Sequence, residues 1–223
     1  MERMIKMVVF DMAGTTVDEQ NVVYKTLHQV IVHSGLDISF QEVLRLGAGK
    51  EKKKAIQDIL VEYGADLFDL EEVYLHFKSA LHDAYLQLPI QAMSGAEELF
   101  AWLRQRAILV VLNTGYDTAT ANLLVSRLGW QQGSTFDLLV CADMVATSRP
   151  APDMIQLAMQ QFRLLNPAVV AKIGDSIVDI EEGLEAGCGL VLGITTGAHT
   201  NSQLLEANPN GVLHHLLELK TWI

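Results

Sequence analysis

The chain has 223 residues, with 16 Lys+Arg against 27 Asp+Glu and a net charge of −11. Half the residues are hydrophobic and 19% are charged, which excludes a disordered chain and allows one large domain or a core with a smaller insert. The acidic balance argues against general binding to nucleic acid or to an anionic membrane, while leaving room for a small anion in a locally positive pocket.

The first ten residues hold a short apolar stretch, but Lys6 and Asp11 interrupt it and no small-residue cleavage site follows, so a strand is expected rather than a signal peptide. Apolar runs nowhere approach the roughly 20 residues of a bilayer span. Met7–Phe10 is continuous and apolar and breaks at Asp11, the pattern of a central parallel strand buried on both faces. Residues 20–86 then read as helices only: Val22–His33, Phe40–Leu46, Lys50–Tyr63 and Glu71–Leu86. Ser39–Glu42 and Ser94–Glu97 carry capping-box signals. Beyond them, strands Ile108–Leu112, Leu138–Val140, Val169–Ile173 and Leu190–Ile194 alternate with helices Ala96–Arg106, Thr118–Leu128, Pro152–Phe162 and Ile177–Ala186. That alternation predicts an α/β fold, a Rossmann-like open parallel sheet. The division expected is a core of residues 1–19 and 87–223 and an inserted all-helical cap of residues 20–86, hinged at Thr16–Gln20 and Gln87–Met93. Cys141 and Cys188 are too few for a disulfide framework and point to a reducing, cytoplasmic setting.

The chemistry concentrates at strand ends. Asp11 directly follows a strand, and Gly14 and Thr15 allow a sharp turn with backbone N–H groups free for an anion. Asp175 and Asp179 open a helix after another strand, one turn apart and able to share a face. Three carboxylates in one crevice call for a cation, and hard oxygen ligands suit Mg²⁺. Taken singly, Asp11 or Asp175 reads more readily as a helix cap than as a catalyst. Thr114, Gly115 and Tyr116 end a further strand, where a hydroxyl and backbone N–H groups suit a phosphoryl oxygen, and Arg149 before Pro150 supplies a cation. His199 follows a strand and could line the crevice rim; as a lone histidine it reads more readily as structural.

In this order the four pieces resemble the haloacid dehalogenase superfamily, over nearly the whole chain. The resemblance implies that Asp11 is a nucleophile forming an aspartyl phosphate. It implies that Mg²⁺ is held by Asp11, the Ala13 carbonyl and Asp175, with Asp179 behind them. Thr114 and Arg149 would hold phosphoryl oxygens. Ala13 stands where most of the family's phosphatases carry an acid–base Asp. Ala13–Asp18, Thr114-Gly115-Tyr116 and Arg149-Pro150 are similar to the phosphonoacetaldehyde hydrolase (phosphonatase) branch. There a cap lysine condenses with the substrate aldehyde, and the corresponding residue here is Lys50. Leu46, Lys53 and Asn21 depart from that branch, which has Met, His and Cys at those places. The expected reaction is cleavage of a phosphorus–carbon bond in a small phosphonate. A phosphatase or phosphomutase of a small phosphorylated metabolite, and a non-catalytic binder of one, remain as alternatives. The resemblance also suggests a homodimer through the cap, for which Val23, Leu27 and Val30 could supply a face or could equally be cap core.

Overall fold

The computed structural model describes residues 4–65 and 68–223. In chain order its strands are β1 (Met7–Asp11), β2 (Val17–Asp18), β3 (Gln91–Ala92), β4 (Leu109–Thr114), β5 (Leu138–Cys141), β6 (Val170–Gly174), β7 (Leu190–Ile194) and β8 (Gly211–Leu213). The helices are α1 (Val22–His33), α2 (Phe40–Gly47), α3 (Lys52–Glu62), α4 (Leu70–Gln87), α5 (Ala96–Gln105), α6 (Thr118–Arg127), α7 (Asp153–Gln161), α8 (Ile177–Glu185) and α9 (Asn201–Glu206).

Six strands form one sheet in the order β5-β4-β1-β6-β7-β8, all pairs parallel. This is the doubly wound, Rossmann-like order, with its reversal of direction at β1. Every residue of β1, β6 and β7 is buried, which explains why those strands read as short apolar runs, broken in β6 by Lys172 alone. Helices α1–α4 fall between β1 and β4 and pack on one another around Val23, Leu27, Ile31, Ile56, Phe77 and Leu81. Val23 and Leu27 are fully buried there, so they belong to the helical core and are unavailable as an external face.

Two segments anticipated as separate hinges are paired. β2 and β3 form an antiparallel ribbon, Val17 opposite Ala92 and Asp18 opposite Gln91, and the Met93 N–H donates to the Thr16 carbonyl at 2.8 Å. The chain therefore leaves and re-enters the α/β layer through two bonded strands. The two capping signals fare differently. Ser39 accepts from the Glu42 N–H at 3.2 Å, as its sequence implies. At Ser94–Glu97 the box does not form: Gly95, at φ 81°, occupies the cap position without a side-chain bond, and Ser94 Oγ faces His215 Nε2 at 3.2 Å.

Candidate active site

The order β4-β1-β6 sets three strand ends side by side at the carboxyl edge of the sheet. Asp11 ends β1, Thr114 ends β4, and Asp175 follows β6; Asp179 lies in the first turn of α8 and Arg149 in the loop before α7. Asp11, Ala13, Thr114, Gly115, Tyr116, Arg149 and Asp175 line one narrow cleft, together with Tyr24, Gly49 and Lys52 from the helical insert. A larger groove lies elsewhere, between α1 and α4 around His33 and His76, and contains none of these groups.

Behind the cleft is a buried ionic network. Arg149 gives Nη1 to Asp11 Oδ1 at 2.6 Å, Nε to Glu182 at 3.0 Å and Nη2 to the Asn113 carbonyl at 2.8 Å. Lys172, fully buried in β6, lies 2.7 Å from Asn113 Oδ1, 2.9 Å from Asp179 and 3.0 Å from Glu182. Burial works against ionised Asp179, but Arg149 and Lys172 outweigh it and hold its carboxyl below the usual range. Asp179 also completes the cap of α8, accepting from Ser176 Oγ at 2.5 Å. Asp11 is pushed upward, by burial first and then by Asp179. Asp175 is pushed up further by burial and by both neighbouring aspartates. It accepts from the Ala198 N–H at 2.5 Å, and no cationic side chain among the described residues pairs with it.

One oxygen each from Asp11, Asp175 and Asp179 lies within 4.8 Å of the others. The donor set fits a hard divalent cation such as Mg²⁺: all oxygen, buried, and short of positive charge at Asp175. Of the three, Arg149 reaches both Asp11 and Asp179, and Lys172 reaches Asp179, so Asp175 is the carboxylate with no cationic partner among the described residues. Such an ion would keep Asp11 and Asp175 ionised despite burial.

Three sequence expectations are corrected. The N–H of Gly14 is not free for an anion. It donates to the Val17 carbonyl at 2.9 Å, while Thr15 and Thr16 N–H groups donate to Met12. The turn satisfies itself, and Gly14 and Thr15 back Asp175 instead of lining the cleft. Thr15 Oγ1 lies 3.4 Å from Asp175, and a Cβ on Gly14, at φ +85°, would sit 2.6 Å from its carboxylate. The third correction is Lys50. Its ammonium bonds Asp58 at 2.7 Å, outside the cleft. The amine inside is Lys52, only 6% exposed, which donates to the Lys50 carbonyl at 2.7 Å and lies 5.2 Å and 5.5 Å from the Tyr24 and Tyr116 ring centres. Burial lowers its pKa to about 8, against the pull of Asp11.

Sequence reading missed Lys52, Lys172, Asn113 and Glu182. Lys172 had a visible signal, a charge in the middle of a strand that is otherwise apolar and buried. Asn113 and Glu182 had none, since each looks ordinary at a strand or helix position. His199 is buried beside the cleft with Nδ1 accepting from the Ile177 N–H at 3.0 Å, a structural bond.

Residues 5–187 match the family model for haloacid dehalogenase-like hydrolases, and the chain belongs to that family. It is 28% identical to "Probable phosphatase IndB" of Dickeya dadantii, over 96% of each protein. It is 30% identical to the phosphonoacetaldehyde hydrolase of Bacillus cytotoxicus, over 85% of this chain and 76% of that one. A phosphonoacetaldehyde hydrolase-like protein from Oleispira antarctica superimposes with a TM-score of 0.83 at 22% identity, covering 98% of this chain and 91% of that one. The chain is thus an enzyme of the hydrolase class with phosphatase and phosphonatase relatives.

Proposed function

We propose that the protein is a Mg²⁺-dependent phosphonatase, cleaving the phosphorus–carbon bond of a small phosphonate aldehyde such as phosphonoacetaldehyde, and that residues 20–86 act as a cap over a core of residues 1–19 and 87–223. The observation that carries this reading is a buried, pKa-lowered lysine, Lys52, sharing a closed cleft with Asp11 while Ala13 occupies the position of the usual acid–base aspartate. The relatives named phosphonoacetaldehyde hydrolase support it.

A neutral Lys52 amine adds to the aldehyde and loses water, giving an imine that is protonated on nitrogen. Asp11 then attacks phosphorus. The electron pair of the phosphorus–carbon bond moves toward the iminium, so the carbon fragment departs as an enamine and needs no acid at position 13. Thr114 and the backbone N–H of Gly115 line the cleft where charge spreads over the phosphoryl oxygens, and Arg149, bonded to Asp11, adds its positive charge from behind. Asp11, the Ala13 carbonyl and Asp175 would hold Mg²⁺, which would supply further charge neutralisation for the phosphoryl group. Water hydrolyses the aspartyl phosphate, and protonation and hydrolysis of the enamine return Lys52, so aldehyde and phosphate are the products.

Phosphate release from phosphonoacetaldehyde with Mg²⁺ tests the reaction, and borohydride reduction followed by peptide mass spectrometry tests the amine. A reduced adduct on Lys52 is expected. No release rejects the function, while release with an adduct on Lys50 or with no adduct rejects the role of Lys52. The relative called a probable phosphatase, matched over 96% of both chains, favours a second reading: a phosphatase of a small ester, with Lys52 binding the leaving group as a cation. Substituting Ala13→Asp would then raise ester turnover sharply.

A further inference from the structure

Tyr116 lines the cleft, yet its hydroxyl bonds away from the substrate side. It lies 2.6 Å from the hydroxyl of Tyr85, which in turn donates to Glu19 Oε2 at 3.1 Å. All three residues are buried. A carboxylate only accepts, so Tyr85 spends its proton on Glu19 and Tyr116 spends its own on Tyr85. Every hydroxyl hydrogen in the chain of groups is placed, and none is left to water.

The three residues come from three parts of the fold. Glu19 sits in the first linker, just before Gln20 and Asn21, which both hold a left-handed backbone at φ 55° and 57°. Asn21 gives α1 no side-chain cap, and Glu19 Oε2 does so instead, accepting from the Val23 N–H at 2.8 Å. Tyr85 lies in the last turn of α4, at the second linker, and Arg127 of α6 donates to its carbonyl. Tyr116 lies in the loop after β4, and the Lys52 ammonium sits over both its ring and the Tyr24 ring. The Tyr24 hydroxyl accepts from the Gly49 N–H at 2.9 Å, which fixes the loop that carries Lys52. The Lys78–Asp117 pair at 2.5 Å also joins the insert to the core, but among these contacts the tyrosine chain is the one that reaches the cleft.

We propose that Tyr85 is a positioning residue: by tying Tyr116 to Glu19 it latches the cap shut and keeps the aromatic box in which Lys52 is held beside Asp11. This rests on the reading of Lys52 as the amine that meets substrate. The latch makes Lys52 shielding depend on one hydroxyl, remote from the reacting atoms, at the seam between both linkers.

The test is the rate at which an amine-reactive succinimidyl ester modifies Lys52, read site by site with mass spectrometry, in the parent and in Tyr85→Phe. It needs no substrate, so it reads the latch even if the phosphonatase reaction fails. The expected result is Lys52 modified about tenfold faster, Lys25 and Lys220 modified at parental rates, and a melting temperature within about 3 °C of the parent. The double variant Tyr85→Phe/Tyr116→Phe should be no faster than Tyr85→Phe. Where the phosphonate is turned over, KM rises more than kcat falls. Lys52 modified at the parental rate overturns the proposal, as does a uniform rise at all lysines, which would mark general loosening. Should Tyr85→Phe not fold, Glu19→Asp, one methylene shorter, gives the same readout.

Discussion

Lys52 is where the site departs furthest from ordinary surface chemistry. An unperturbed lysine near 10.5 is almost wholly protonated at pH 7; at about 8, roughly 300-fold more of it is neutral. Activity that needs the free amine should therefore rise as pH rises through about 8, and a kcat/KM profile flat from pH 6 to 9 would contradict the imine route. The same shift costs stability. Between about 8 and 10.5 the unfolded chain holds a proton that the folded chain does not, so stability increases with pH across that window and is lowest below it. Lys52→Met should abolish phosphonate cleavage yet raise the melting temperature at pH 7 by several degrees, about 1–3 kcal/mol, because a neutral side chain of similar length removes the buried charge. Lys50→Ala should keep activity within a few-fold, since its ammonium is spent on Asp58. Calorimetry and initial rates on the two variants separate these outcomes. Composition could not reveal which lysine is buried: Lys50, Lys52, Lys53 and Lys54 differ by their neighbours, not by their type.

That ambiguity comes from one helix start. Sequence reading began the third helix at Lys50, whereas α3 begins at Lys52. Glu51 is the cap, accepting from the Lys53 and Lys54 N–H groups at 2.8 Å each. Each residue turns a helix by about 100°, so a start misplaced by two residues reassigns which side chain faces the cleft. The apolar periodicity that made the four helices legible says little about such ends. The ribbon of β2 and β3 was equally hidden, because two-residue strands have no period to detect. The loop before α3 is where element and site meet. Gly49, at φ +73°, has its Cβ direction filled by Ser176 Oγ at 2.1 Å and Val178 at 2.4 Å. Gly49→Ala therefore cannot keep both its backbone and this approach. It should lift the loop from the first turn of α8, lower kcat/KM by at least tenfold through KM, and cost about 1–2 kcal/mol. Hydrogen exchange confined to residues 47–50 is the check; parental exchange with parental KM would show that the approach is dispensable.

At the scale of the whole molecule the α/β pattern was legible because a doubly wound sheet imposes it. Buried parallel strands must be short and apolar, and each needs a crossover before the next. The strand order then delivers Asp11, Thr114 and Asp175 to one edge whatever their distance in sequence. The edge strand β8, three residues after a turn, carried no such signature. What the fold gathers is electrostatically unfinished. Asp11, Asp175, Asp179 and Glu182 are buried against three buried cations, Arg149, Lys172 and Lys52, and the shortfall sits at Asp175. A divalent ion that binds only the folded state should stabilise it by about 2.7 kcal/mol at a hundred times its dissociation constant, a shift of several degrees in melting temperature. Asp175→Asn removes the unpaired charge while keeping the shape. It should melt higher than the parent in EDTA and lose the shift that Mg²⁺ gives. Its advantage in EDTA should grow with pH, because the raised carboxyl of the parent is protonated in acid and must ionise, unpaired, as pH rises. A parent whose melting temperature ignores Mg²⁺, or an Asp175→Asn protein that still responds to it, would remove Asp175 from the metal site and leave its buried charge without a physical reason.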